Sequence, residues 1–159
     1  MKYLYISCLL IIYQISFAFE LKCSFEEVYQ NGEVQQGFFL IKDDKFRYEY
    51  FSDNLYTVIH NQNLFFLIEN KDRTKFVKIS RNTEILEAIV NIISDYPNFN
   101  KDYYFENVKI KLEFNNKNFI KRIILLSEEN NLSVYLNDCK TSQIKNLFFS
   151  YSPFFEYKH

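Results

Sequence analysis

A mainly β domain with a minor helical part is the fold class the sequence predicts: a large, strongly curved antiparallel sheet, open or closed, with one helix laid on or across it. Three observations point there. Short segments of alternating apolar and polar residues recur along the chain, turn signals separate them, and a single stretch, Thr83 to Ile93, has helical spacing instead. Strand runs interrupted by one helix do not fit a doubly wound or bundled architecture.

The N-terminus comes first. Met1-Lys2 gives a positive start, Leu4 to Tyr13 an apolar run, and Ser16-Phe17-Ala18 small residues at the positions a signal peptidase reads. Residues 1–18 are therefore expected to be a cleaved export leader, with residues 19–159 a single domain. Gln14 and Ser16 interrupt the run before it reaches the ~20 apolar residues of a membrane span, which argues against the alternative of an uncleaved anchor. Lipidation at Cys23 is disfavoured by the charges of Glu20 and Lys22 before it.

Phe19 to Phe25 then alternates with period two and reads as a strand. Asn31-Gly32 is a turn signal before a second strand, Glu33 to Lys42, and Asp43-Asp44 makes the next turn. Phe46, Tyr48 and Tyr50 share one face of the third strand, while Arg47 and Glu49 share the other. Leu55 to Ile59, a reversal at Asn61-Gln62-Asn63, Leu64 to Ile68 and Thr74 to Ile79 continue the meander. Phe38 to Ile41 and Leu64 to Ile68 are apolar on both faces, so the side away from the core needs a cover: helices, a second sheet or a ligand.

The helix follows. Asn82 is placed to cap it and Glu84 puts an acid in its first turn. Ile85, Leu86, Ile89, Val90 and Ile93 form one apolar stripe, and Pro97 stops the element by Ser94 or Asp95. About three turns of helix are marginal unless that stripe is packed. Strands resume at Val108 to Phe114, Ile120 to Leu126 and Leu132 to Leu136, with turns at 115–118 and 128–130. A last strand is expected from Ile144 to Tyr151, closed by Ser152-Pro153-Phe154.

Charge excludes one class of partner. The 19 basic and 20 acidic residues are interspersed, and loss of Lys2 with the leader lowers the net charge of −1 by one. No basic patch suited to nucleic acid results. Cys8 leaves with the leader, so Cys23 and Cys139 remain as an even pair able to bond in an oxidising compartment, the alternative being two unpaired thiols. No catalytic, metal or cofactor constellation is evident. His60 and His159 lack metal-ligand spacing, Gly32 and Gly37 are too few for a phosphate-cradling loop, and His60 beside Asn61 reads as a surface or turn residue. If the Phe46-Tyr48-Tyr50 row faces outward, Arg47 points into the concave side and can hold carbonyls or a helix end; otherwise it is a solvent-facing arginine paired with Glu49 or a cross-strand acid.

Gly37-Phe38-Phe39-Leu40 followed by Asp44-Lys45-Phe46-Arg47-Tyr48-Glu49-Tyr50 resembles a glycine-started strand and a phenylalanine-arginine-aromatic-glutamate-tyrosine strand of the periplasmic outer-membrane lipoprotein carrier (LolA-like) family. Leu55 to Ile59, Asn61 to Leu67, the helix at Thr83 to Ile93, and Leu147 to Pro153 fall where that family has its next strands, its helix and its closing strand. The likeness runs over most of Phe25 to Pro153. Two departures stand out: an extended Phe19 to Phe25 where family members begin with a helix, and Asn61-Gln62-Asn63 in place of an aspartate-glycine turn.

The resemblance implies an incomplete antiparallel β-barrel with a helical lid over an apolar cavity, and a non-catalytic monomeric carrier in the periplasm. Acylated lipoproteins would be loaded by an inner-membrane lipoprotein-releasing transporter and passed to an outer-membrane acceptor or the membrane itself. Phe38, Leu40, Leu64 and Phe66 are the expected cavity residues; Ile85, Leu86, Ile89, Val90 and Ile93 the lid; and Arg47 the group that fixes it. The alternative is an envelope β domain that binds protein partners without lipid. Three acyl chains hold about 45 methylenes, worth about 36 kcal/mol if fully buried, well beyond the ~20 kcal/mol at which non-covalent binding saturates. Partial shelter is therefore expected.

Overall fold

The structure, a computed structural model, describes residues 20–62, 64–79, 84–95, 98–105, 107–116, 119–127 and 131–151, with the side chains of 84–87 excepted. The expected leader, Asn63, the Asn82 cap, Pro97, part of the 115–118 turn, the 128–130 turn, Ser152-Pro153-Phe154 and His159 lie outside the described residues.

Ten antiparallel strands form one sheet. Six come first: β1 (Glu20–Tyr29), β2 (Val34–Lys42), β3 (Lys45–Tyr50), β4 (Tyr56–Asn61), β5 (Leu64–Glu69) and β6 (Phe76–Ile79). Helix α1 (Glu84–Ser94) follows, then β7 (Asp102–Phe105), β8 (Val108–Phe114), β9 (Ile120–Ser127) and β10 (Asn131–Thr141). The strand order, β6-β5-β4-β3-β2-β1-β10-β9-β8-β7, is two meanders joined where β1 pairs with β10. The sheet is not closed: β6 and β7 are its two ends. Strand β7 was not anticipated, because Asp102 to Phe105 is short and lacks alternation.

At the junction of the meanders the register shifts between Lys22 and Ser24. Asp138 takes positive φ there, and Cys23 and Cys139 are joined by a disulfide across the two strands. Three turns use the left-handed backbone region: Gly32 between β1 and β2, Asp43 between β2 and β3, and Gln62 between β4 and β5. Gly37 serves a different end. Its missing Cβ leaves room for Phe25 and for the Glu49 carbonyl of the neighbouring strand.

The two faces of the sheet are covered differently. On the inner face, Leu21, Cys23 and Phe25 of β1, Phe39 and Ile41 of β2, Phe46 of β3, Phe65 of β5 and Val134 and Leu136 of β10 pack with Ile93 of α1. A second inner cluster joins Ala88 and Ile92 of α1 to Tyr103, Val108, Ile110 and Leu112. On the outer face, Phe38, Leu40, Ile59 and Ile68 are covered by Ile144 and Phe149.

That outer cover is the chain's own C-terminal segment, which corrects the expectation of a final strand. Asn146–Phe149 is a 3-10 helix lying across the outside of β2 to β5. A strand could not bury Ile144 and Phe149 against one sheet face while leaving Leu147 out; one tight turn does so, with Phe149 fully buried and Leu147 exposed. Polar contacts fasten the segment. Lys42 Nζ donates to the Ile144 carbonyl (2.7 Å), Arg47 to that of Phe148 (3.0 Å) and Asn61 Nδ2 to that of Phe149 (3.0 Å). The two-faced strands are thereby satisfied from within the chain.

His60 corrects a second expectation. It is buried, only 1 % exposed, stacked on Phe46 at 5.4 Å, with Nδ1 2.8 Å from the Asp44 carbonyl. The strand runs on to Asn61, so the ring takes the inward position that the parity of Val58 sets, and it is a core residue.

Candidate functional site

A pocket of about 290 Å³ lies between the inner face of the sheet and α1. Phe39, Ile41, Phe46, Tyr48 and Val58 line it from β2 to β4, and Ile110, Ile120, Ile123 and Leu125 from β8 and β9. Strands β4 and β8 stand six places apart in the sheet order, about 29 Å in a flat sheet at ~4.8 Å per strand. Their meeting around one small pocket means that the sheet curls through those six places.

Helix α1 presents two faces. Ile89, Ile92 and Ile93 line the pocket, and Ala88 and Ile92 seat the helix against β7 and β8. The end of the helix is tied to β7 by Tyr103, whose hydroxyl donates to Asp95 Oδ2 at 2.8 Å.

The wall is apolar except at one end. There Glu27 of β1 lies 4 % exposed and accepts three phenolic hydrogen bonds: Tyr48 at 2.6 Å on Oε1, and Tyr29 at 2.7 Å and Tyr50 at 2.9 Å on Oε2. Burial, then the bond and charge of Glu27, push the Tyr29 phenol up to about 12. Burial followed by the Glu27 charge raises Tyr48 and Tyr50 as well. All three therefore stay protonated donors at neutral pH. Phe25 stacks on Tyr48 at 3.9 Å and meets Tyr50 edge-on at 5.4 Å, which fixes the rings from behind.

The structure divides the residues singled out in the sequence. Ile89 and Ile93 line the pocket, and Val90 packs against the same cluster; the side chains of Ile85 and Leu86 lie outside the described residues. Phe38, Leu40 and Phe66 are on the outer face against the C-terminal segment, and Leu64 shares the face of Phe66 by strand alternation. The pocket takes the other parity, Phe39, Ile41, Phe46, Tyr48 and Val58. Arg47 is neither concave nor solvent-facing. It is 2 % exposed on the outer face, ion-paired with Glu49, with Nε 2.6 Å from Glu49 Oε2. Arg73 reaches Glu49 Oε1 at 2.7 Å. The sheet separates Arg47 from α1, so fixation of the helix by Arg47 is not available here: the arginine holds the C-terminal segment instead.

Glu27 was missed although it left a trace. In the row Leu21, Cys23, Phe25, Glu27 an acid occupies a position whose parity is buried, but that trace is visible only once the strand is extended past Phe25. Among the described residues no group of three metal-ligating side chains occurs.

No protein-family model matches the chain, and no curated protein matches it in sequence.

Proposed function

We propose that this protein is a non-catalytic carrier that shelters lipoprotein acyl chains between a partly closed β-barrel and a helical lid, α1, and moves them across the periplasm from the inner to the outer membrane. The observation that carries the reading is the pocket wall, apolar on every side but the Glu27 end, with a short helix as one side. Counting a methylene at about the 30 Å³ a water occupies in the liquid, the pocket takes about ten carbons. Their burial is worth about 8 kcal/mol before ordering costs, an affinity that permits release. That capacity agrees with partial shelter of a much larger acyl group. A releasing transporter in the inner membrane loads the monomer, and an acceptor or the outer membrane takes the cargo. Export by way of residues 1–18 and a bonded Cys23–Cys139 pair suit the same compartment.

The test is lipid extraction of protein recovered after export, together with binding of an environment-sensitive apolar dye. Acyl chains in the extract and a dye signal displaced by fatty acid are expected; absence of both returns the chain to the second reading, a β domain that binds protein partners. One observation favours that alternative: the outer apolar face is covered by the C-terminal segment, so the two-faced strands by themselves require no ligand.

A further inference from the structure

We propose that the Glu27 end of the pocket is a headgroup subsite that selects a positively charged ammonium group carried on an alkyl chain. This deepens the acyl-binding reading and rests on it.

A carboxylate within an apolar wall is costly unless its charge is compensated. Here three phenols supply hydrogen bonds but no charge, and among the described residues no lysine, arginine or histidine forms an ion pair with Glu27. The group accepts without donating, and Oε1, which receives only Tyr48, retains capacity for a further donor. An ammonium head supplies both the missing charge and that donor. A hydroxyl head supplies a donor alone, and a carboxylate or sulfate head places like charges together in surroundings of low polarisability. The ammonium would lie at Tyr29, Tyr48 and Tyr50, and the alkyl tail against the apolar remainder of the wall, which includes Ile93 and Ile123.

The alternative role for Glu27 is a purely structural tie between β1 and β3, and probe selectivity separates the two. Binding of decylammonium, decanol and decanoate to the full chain is measured by calorimetry at neutral pH. Decylammonium is expected to bind about tenfold or more tightly than decanol, the scale of a hydrogen bond to a charged group, with decanoate weakest. In Glu27→Gln, whose single amide oxygen can still accept from Tyr29 and Tyr50 while its NH2 group donates to the Tyr48 oxygen, the ammonium-to-alcohol ratio should collapse toward one. Should that variant fail to fold, the wild-type series decides alone. Equal affinity for all three probes overturns the subsite and leaves the acyl pocket standing; no binding of any probe overturns both. Aminophospholipids offer this chemistry, and so do lipidated peptides with two acyl chains and a free amino terminus, whereas a third chain on that nitrogen makes it an uncharged amide. An ethanolamine lysophospholipid and such a lipopeptide are therefore added as competitors. Displacement of decylammonium by one identifies the source, and displacement by neither overturns the assignment.

Discussion

Replacing Phe149 by alanine tests whether the C-terminal segment is a packed cover of the sheet. Phe149 is fully buried against Phe38, Leu40, Ile59 and Ile68. Truncation of a buried phenylalanine costs about 3–5 kcal/mol, a large part of the 5–15 kcal/mol that holds a domain folded. The bond from Asn61 goes to the Phe149 main-chain carbonyl, so it survives the substitution and the loss reports packing. At a urea slope of about 2 kcal/mol/M the midpoint falls by about 2 M. Leu147→Ala is the matched control, since Leu147 is 53 % exposed and its truncation should stay within about 0.5 kcal/mol. Both variants are unfolded in urea with the disulfide intact and followed by circular dichroism. A Phe149→Ala loss below about 1 kcal/mol, or no larger than that of Leu147→Ala, would refute the account of how the outer face is covered.

Replacing both Cys23 and Cys139 by alanine opens a loop of 116 residues, and chain entropy puts the cost at about 4.8 kcal/mol; an unchanged urea midpoint would contradict it. Gly37→Ala would set a Cβ 2.0 Å from the Glu49 carbonyl oxygen and 2.4 Å from Phe25 Cζ, so at least about 3 kcal/mol should be lost and Phe25 displaced from Tyr48; a variant as stable as the parent speaks against that contact. Alkaline pH should destabilise the fold. The Tyr29, Tyr48 and Tyr50 phenols are raised in the folded state, so the unfolded chain loses their protons first. Stability is complete below the ordinary tyrosine value near 10 and falls as pH climbs above it. Urea midpoints that stay level from pH 9 to 11 would count against the cluster.

Much of the architecture was legible in the residues. Alternation marked the strands from Val108 to Phe114 and Phe46 to Tyr50, and the Ile89-Ile93 spacing marked the helix, because burial of one side is what those periods serve. Where a strand was apolar on both sides, as at Phe38 to Ile41, the period vanished and parity with it. Choosing which set faced the helix then had no local signal, and the choice of Phe38 and Leu40 over Phe39 and Ile41 reversed the faces. The same reversal placed Arg47 beside α1. The aromatics of the segment after Ile144 suit a strand, whereas contacts with β2 to β5, more than 75 residues away in the chain, decide its form. Glu27 needed knowledge of three tyrosines brought together by β1 and β3, and pairing of that kind is written in no single segment.

Occupancy of the pocket by an acyl chain is the central claim, and photo-crosslinking tests it most directly. A fatty acyl probe carrying a diazirine along its chain is photolysed with the folded, disulfide-bonded protein, and the adducts are mapped by peptide mass. Labelling should be saturable, competed by unlabelled acyl chains, and confined to inner-face residues such as Tyr48, Val58, Ile93 and Ile123. Adducts on Phe38, Leu40 or Phe66 of the outer face, or no saturable adduct at all, would contradict the carrier account.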